Sequence, residues 1–283
     1  MEKKGMTSAE LQRNCIRTIA LMNTLSKIVG AKSINNFSRI FDDTFSNLEI
    51  DECKDAVSTE YRNTWYPFFK GERPMTDRQL KRLICIEDQV DLLYTEGPSK
   101  LWVAMWGDVS DLIEIIRGYN ASLSQMPFHY ITKQVPHLIR DIVDGGRVIG
   151  DLVWAISYYR YLKEMQPNVL VDVENYPVTQ ASCAWVLLES CMNDSFISSE
   201  LDALGIRAQV TNELSAQEIE RMRQIPFEQR LTDAELIPKF VADLSMEEAE
   251  IWGAFVEDAL SYEDALDSAC DGVSFRQTML FSC

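Results

Sequence analysis

The sequence predicts an all-α protein in which an N-terminal helical bundle is followed by an acidic helical domain. Three observations support this fold class: apolar residues recur every three or four positions, helix-start motifs are frequent, and only one segment alternates like a β-strand. The helix-start motif is the capping box, in which a hydroxyl and a later carboxylate or amide satisfy backbone N–H groups at a helix start. Five segments fit this motif: Thr7-x-x-Glu10, Thr76-x-x-Gln79, Ser215-x-x-Glu218, Thr232-x-x-Glu235 and Ser245-x-x-Glu248.

The first hundred residues contain three predicted amphipathic helices. In the first helix, the apolar residues that share one face are Leu11, Cys15, Ile19, Met22 and Leu25. The second helix covers residues 34–45 and has the same spacing. The third covers residues 77–93. Its inward side chains are predicted to be Leu80, Leu83, Ile84 and Ile86, and its outward ones Arg78, Lys81 and Arg82.

Glu96-Gly97-Pro98 then interrupts the helices, because proline lacks an N–H donor and glycine relaxes the backbone. Further helices are predicted over residues 101–116, 136–165, 179–193 and 200–204, and capped helices with short breaks fill the C-terminal third. Residues 168–177 alternate valine with acidic side chains. This pattern fits either an isolated strand or an extended connector.

The net charge of −17 is distributed unevenly along the 283 residues. Residues 1–100 hold equal numbers of basic and acidic side chains, whereas residues 101–283 hold 12 Lys and Arg against 29 Asp and Glu. An acidic field repels the phosphates of nucleic acids and membranes within a Debye length of about 8 Å. We therefore place any nucleic-acid role in the N-terminal part. The change in charge favours two domains, residues 1–122 and residues 123–283.

Cysteine usage and the absence of long apolar stretches indicate the compartment. Seven cysteines form no C-x-x-C pair, a pattern typical of reduced thiols in the cytoplasm. The N-terminus lacks the apolar core of a secretory signal, and no stretch approaches the ~20 apolar residues of a membrane span. We expect a cytoplasmic protein without membrane contact.

Residues 32–93 contain two segments, SINNFSRIF and TWYPFFKGERPMTDRQLKRL, that together resemble a helix-turn-helix of the phage-repressor (Cro-like) class. The likeness lies in an aromatic residue, a basic residue, glycine, a polar turn and proline before a closing helix. The positions that match are Phe68 or Phe69, Lys70, Gly71, Arg73, Pro74 and Leu80. The resemblance implies a helix-turn-helix frame that contacts DNA or, because the preceding segment 47–60 is acidic, a protein.

The same region forms a candidate contact patch independently of any family. Residues 61–82 carry six cations and two acids beside several large rings. Cations attract phosphates or carboxylates, and rings offer faces to bases or apolar side chains. The predicted binding residues are Trp65, Lys70, Arg73, Arg78, Lys81 and Arg82. Two alternatives remain: the rings are core residues beneath a solvated basic helix face, or the cations dock the acidic C-terminal third.

Sequence patterns for catalysis or metal binding are weak. His129 and His137 are eight residues apart, whereas a helical metal pair is three or four apart. Cys183 and Cys191 lie in an apolar helical setting typical of buried thiols. The glycines of residues 144–150 lack the Lys-Ser/Thr ending of a phosphate-binding loop, and the C-terminal acidic clusters lack known ligand spacings. No catalytic residue, metal or cofactor is predicted.

The sequence thus favours a non-enzymatic binding protein, a regulatory or accessory factor of bacterial or phage origin. Its partner is predicted to be a protein first and a nucleic acid second, and a homo-oligomer is compatible with the sequence. One alternative is an acidic mimic of nucleic acid that occupies the basic groove of a nucleic-acid-handling protein. A second alternative is an enzyme whose site combines His129 with scattered carboxylates.

Overall fold

The all-α fold class is confirmed by a computed structural model, which describes residues 6–46, 59, 63–119, 147–165, 170–173 and 176–237. Within these ranges the chain forms helices and one two-stranded antiparallel hairpin. The helices are α1 (Ser8–Ile28), α2 (Ile34–Ser46), α3 (Tyr66–Phe69), α4 (Asp77–Leu83), α5 (Val90–Thr95), α6 (Leu101–Trp106), α7 (Val109–Gly118), α8 (Ile149–Met165), α9 (Gln180–Met192), α10 (Ser195–Ala203), α11 (Arg207–Gln224) and α12 (Phe227–Leu236).

The chain divides into two compact units, each with contributions from two stretches of sequence. Unit 1 is Met1–Pro167 with Ala184–Ala216, and unit 2 is Asn168–Cys183 with Gln217–Cys283. The predicted boundary at residues 122 and 123 lies outside the described residues. It stays a prediction.

Helix α1 begins at the predicted capping box. The Thr7 hydroxyl accepts a hydrogen bond from the Glu10 N–H at 3.2 Å, and the Thr7 N–H donates to the Glu10 carboxylate at 2.7 Å. The buried face differs from the predicted stripe, because Leu11 is 46% exposed while Thr18 and Leu21 are buried. A stripe chosen by hydrophobicity alone missed Thr18, whose hydroxyl is paired with the Asn14 carbonyl at 2.7 Å.

The core beside α1 is built from aromatic and aliphatic side chains of α1 to α5. Its members include Phe37 and Phe41 of α2, Trp65 just before α3, and Leu83 of α4. The predicted helix over residues 77–93 is instead two short helices, α4 and α5, joined by residues 84–89. The second predicted capping box, at Thr76 and Gln79, starts α4. Ile84 was expected inside but is 43% exposed, because α4 ends before it.

The predicted helix over residues 101–116 is also split in two. Asp108 interrupts it and caps α7 by accepting a hydrogen bond from the Asp111 N–H at 3.0 Å. Arg160 of α8 donates to the carbonyls of Ala104 at 2.9 Å and Gly107 at 3.1 Å. These carbonyls lie at the C-terminus of α6, where the backbone has no helical donor of its own. A single buried arginine therefore fixes the junction of α6 and α7.

Unit 2 contains the predicted extended segment as a hairpin of β1 (Leu170–Val173) and β2 (Tyr176–Thr179). The strands pair in antiparallel register, with Leu170 opposite Thr179. The capping boxes predicted at Ser215 and Thr232 are wrong, because both residues lie inside helices, α11 and α12. Their hydroxyl-x-x-acid spacing also occurs between neighbouring turns within a helix, so the motif alone does not locate a helix start. The box at Ser245 lies outside the described residues.

Candidate functional site

The predicted contact residue Trp65 is a core residue. Its side chain is fully buried, and its ring makes T-shaped contacts with Phe37 at 6.1 Å and Phe41 at 4.9 Å between centroids. Edge-to-face packing of this kind is favourable for buried rings. Trp65 therefore offers no ring face to a partner, and its expected place in the patch is corrected. Tyr66, the next residue, is 46% exposed.

The three cations of α4 project from one side of the helix. Arg78 and Lys81 are exposed and Arg82 is half-buried, whereas Leu80 and Leu83 are buried. With 100° between successive residues, the cations cluster on the face opposite the two leucines. The inward and outward assignment of these five residues is confirmed. The aromatic face of Phe41 lies beneath Arg82, whose guanidinium carbon is 5.4 Å from the ring centroid.

Lys70 and Arg73 lie in the turn that connects α3 to α4, and both are exposed. The Lys70 ammonium lies 5.7 Å from the centroid of the Tyr66 ring. The turn depends on Gly71, which has a φ of +67°, and a Cβ at that position would lie 2.5 Å from Cδ1 of Ile19. This glycine lets the turn pack directly against α1.

We call Lys70, Arg73, Arg78, Lys81 and Arg82 the basic face. Among the described residues, the first four of these form no ion pair, while two acids of the same segment, Glu72 and Asp77, are exposed. The structure therefore keeps five of the six predicted side chains at least partly accessible. Binding of a partner by these residues stays a prediction. The helix-turn-helix resemblance also stays a prediction, because residues 47–58 and 60–62 lie outside the described ranges.

The comparisons with known proteins concern a different part of the chain. Residues 213–274 match a family model described as conjugal transfer, TraD, beta/gamma-type. No curated protein and no solved structure gave a significant match. We call residues 213–274 the TraD-type segment. It covers roughly a fifth of the chain, and its described portion is residues 213–237 in α11 and α12.

The described portion of the TraD-type segment contains a buried ion pair. Glu218 and Arg221 are both buried, and the guanidinium donates to the two carboxylate oxygens at 2.5 and 2.6 Å. The same guanidinium lies 3.0 Å from the hydroxyl of Ser182 in α9. A two-point arginine–carboxylate contact fixes orientation as well as distance. The pair therefore attaches α11 to the start of α9 within unit 2.

Asp233 of the TraD-type segment is a second buried charge. Its carboxylate accepts hydrogen bonds from the Thr179 N–H at 2.9 Å, the Ser182 hydroxyl at 2.7 Å and the Gln229 amide at 2.8 Å. Ser182 thus connects Asp233 to the Glu218–Arg221 pair. Burial of these charges gives them an internal structural role. The idea of an acidic nucleic-acid mimic stays a prediction for residues 238–283, which lie outside the described ranges.

The described residues bear on two arrangements considered from the sequence, a metal-binding cluster and a cysteine nucleophile. No group of three or more His, Cys, Asp or Glu side chains suited to a metal ion occurs in the described part of the chain. Burial, reinforced by the charge of Asp233, raises the pKa of Cys183 to about 11, and burial raises the pKa of Cys191 to about 11. A protonated thiol is a poor nucleophile near neutral pH. His129 and His137 lie outside the described residues.

A second group of polar residues escaped the sequence analysis. Arg13 and Arg17 of α1 both lie over the ring of Trp106 at the end of α6, in unit 1. The signal that could have found them is the spacing of two arginines by four positions, which places both on one helix face. Nothing in the sequence indicated that Trp106, ninety residues away, would meet them.

None of the described helices combines the length and apolar content that a bilayer crossing requires.

Proposed function

We propose that this protein is a non-enzymatic accessory factor of bacterial conjugal transfer that binds a macromolecular partner through its basic face. The match of residues 213–274 to a conjugal-transfer family model supports a role in conjugal transfer. The four described cysteines are free thiols, which supports action in the reducing cytoplasm.

The observation that carries the proposed binding role is the arrangement of cations on α4. Arg78 and Lys81 are exposed on the side opposite buried Leu80 and Leu83, so the helix is anchored while these two cations face solvent. A fixed array of like charges on a rigid element accelerates encounter with an oppositely charged surface and sets its orientation. The turn with Lys70 and Arg73 extends the array toward α3.

We favour an acidic protein surface over nucleic acid as the partner. The segment that precedes the basic face in sequence, residues 47–60, is acidic, and acidic side chains repel the phosphates of DNA. In this proposal a helix-turn-helix frame over residues 32–93 serves protein docking. The expected contacts are carboxylates of the partner paired with Arg78, Lys81 and Arg82.

The decisive experiment compares two double charge reversals. Arg78→Glu with Lys81→Glu removes the centre of the basic face. Arg207→Glu with Arg223→Glu makes the same change in charge at exposed residues of α11, whose ion pairs with Asp202 and Glu220 lie at the surface. Each variant is returned to a donor strain that lacks the gene, and plasmid transfer to a recipient is counted.

We expect the basic-face variant to lower transfer at least tenfold and the α11 variant to behave like wild type. Normal transfer from the strain that lacks the gene would refute a role in conjugation. Normal transfer with the basic-face variant would refute the proposed contact. Loss with the α11 variant alone would move the contact to the vicinity of the TraD-type segment.

A binding titration separates the two partner classes. The purified protein is titrated with duplex and single-stranded DNA by fluorescence anisotropy at several salt concentrations. Phosphate contacts give a slope of log K against log salt of about −0.9 for each phosphate neutralised in duplex DNA. We expect no DNA binding at physiological salt. A steep slope that Arg78→Glu with Lys81→Glu abolishes would assign the basic face to nucleic acid.

A further inference from the structure

A cleft of about 610 Å³ lies beside the N-terminal half of α1 in unit 1. Its walls include Met6, Glu10, Arg13, Arg17 and Trp106. The volume falls within the range of small-molecule sites, about 300–1,000 Å³. None of these residues belongs to the basic face, so the cleft is a separate feature of the protein.

One wall of the cleft is formed by Trp106, whose ring is held in place by two contacts. Trp106 stacks on Trp102 with the centroids 5.1 Å apart and the planes inclined by 15°. Its indole N–H donates to the carboxylate of Glu213 in α11 at 2.7 Å. These contacts fix the ring against α6 and α11, so the arginines above it rest on a rigid surface.

Two guanidinium groups converge on this ring. The guanidinium carbons of Arg13 and Arg17 lie 5.5 and 5.2 Å from the Trp106 ring centroid. Contact with an aromatic face holds a guanidinium in a defined orientation without consuming its N–H donors. Two oriented cations therefore share one wall of the cleft.

The positive charge of Arg17 lacks a carboxylate partner among the described residues. Its guanidinium donates a long hydrogen bond of 3.4 Å to the Asn14 amide oxygen, and its Nε is buried with no acceptor in the described part of the chain. Arg13 reaches the Glu213 carboxylate at 3.7 Å, but that carboxylate also accepts the bond from Trp106. Burial, with the nearby charge of Arg13, lowers the pKa of Arg17. An anion in the cleft would stabilise the charged arginine.

We infer that Arg13 and Arg17 bind the phosphate group of a small phosphomonoester, whose remaining atoms lie in the cleft against Met6 and the edge of Trp106. The oxygens of a phosphate dianion accept paired N–H donors from guanidinium groups, and the Glu10 carboxylate in the cleft wall opposes its charge. A phosphomonoester presents three acceptor oxygens and up to two charges at one centre, whereas each carboxylate of a dicarboxylate presents two oxygens and one charge. The expected ligand is a small metabolite, since the cleft has the volume of such a site.

Calorimetric titrations in a buffer free of phosphate and sulfate test the assignment. The probes are glycerol 3-phosphate, inorganic phosphate and succinate, each at pH 7.5 and pH 5.5. We expect both phosphates to bind, with the ester tighter, and succinate to bind at least tenfold more weakly. Because the second pKa of a phosphomonoester is about 6, its affinity should fall on acidification. Equal binding of succinate, or no binding of either phosphate, would overturn the inference.

Three substitutions locate the site. Arg13→Gln and Arg17→Gln should each weaken glycerol 3-phosphate binding about ten- to hundredfold, the effect of losing a charge-assisted contact. Arg13 is 44% exposed, so its variant is expected to fold normally even if Arg17→Gln does not. Arg207→Gln, an exposed arginine of α11, is the matched control and should bind like wild type.

The substitution Glu10→Gln should change the affinity for glycerol 3-phosphate in the opposite direction. The Thr7 N–H and hydroxyl bond to Glu10 and hold the pKa of its carboxyl low, so a negative charge persists at the cleft near neutral pH. Glutamine keeps the capping box while it removes this charge. We expect the Glu10→Gln variant to bind glycerol 3-phosphate severalfold more tightly. Weaker binding by this variant, or unchanged binding by Arg13→Gln, would show that the phosphate does not occupy the cleft.

Discussion

Glu218 and Arg221 form a two-point ion pair one helical turn apart in α11, with both side chains nearly inaccessible to water. Removing two charges from water is costly, and good geometry with additional hydrogen bonds is needed to offset that cost. The Ser182 hydroxyl supplies one such bond, and it joins the pair to Asp233. The described part of the TraD-type segment is therefore held by a network that depends on every member being present.

Replacement of Glu218 by alanine should destabilise the protein severely. The change leaves the Arg221 guanidinium buried without its carboxylate, and the expected loss is about 3–5 kcal/mol in the free energy of unfolding. The measurement is urea denaturation followed by far-UV circular dichroism.

A matched control lies on the same helix. Glu220 and Arg223 have the same three-residue spacing at 3.6 Å, but their side chains are 63% and 71% exposed. Exposed pairs contribute about 0–1 kcal/mol, so Glu220→Ala should change the unfolding midpoint little. Equal losses in the two variants would contradict the structural role given to the buried pair.

Trp65→Ala should also lower stability by about 3–5 kcal/mol, because the ring is fully buried among Phe37, Phe41 and Phe68. The neighbouring substitution Tyr66→Ala removes a ring that is 46% exposed and should cost much less. Thermal unfolding of the two variants, with wild type alongside, checks the difference. If Trp65→Ala kept wild-type stability, the assignment of this ring to the core would be wrong.

Local sequence patterns predicted the fold class well and the helix boundaries less well. Capping boxes at Thr7 and Thr76 were right because apolar spacing follows both of them, whereas those at Ser215 and Thr232 lie inside helices. The break at Asp108 was missed because the carbonyls it exposes are satisfied by Arg160, fifty residues away. Long-range contacts decide such breaks, and a local pattern does not contain them.

In the candidate site, too, local spacing predicted some features, whereas features that depend on tertiary contacts were missed. Helical spacing correctly separated the outward cations of α4 from Leu80 and Leu83, since both sets lie within two turns. Trp65 was misassigned because its neighbours in the core come from α2, and their approach depends on the tertiary fold. The contact of Arg13 and Arg17 with Trp106 could not be predicted for the same reason.

Gly71→Ala should destabilise the turn that carries Lys70 and Arg73. The position has a φ of +67°, and the new Cβ would lie 2.5 Å from Cδ1 of Ile19. Strain and overpacking together are expected to cost about 1–3 kcal/mol. Gly30→Ala is the control, because its φ is +65° and no atom lies within 4 Å of the added carbon.

The difference between these two glycine variants in chemical denaturation isolates the contact with α1. Adding Ile19→Val removes the Cδ1 atom and should restore part of the loss caused by Gly71→Ala. A Gly71→Ala variant no less stable than Gly30→Ala would contradict the expected cost of the contact with Ile19.

Stability should fall above pH 9 in part because of Cys191. Burial raises the pKa of its thiol from its ordinary value of 9.0 to about 11, with Arg147 opposing the shift and Asp151 and Asp194 adding to it. The folded protein therefore holds a proton that the unfolded chain releases between these values, so stability declines as pH rises through this window. The resulting loss in the free energy of unfolding at pH 10 is about 1 kcal/mol.

Denaturation at pH 8, 9 and 10 should show a shallower decline for Cys191→Ala than for wild type. Cys15→Ala is the comparison: burial also raises the pKa of this half-buried thiol, but by less, so its variant should flatten the decline less than Cys191→Ala does. Identical slopes for Cys191→Ala and wild type would exclude Cys191 as a source of the pH dependence.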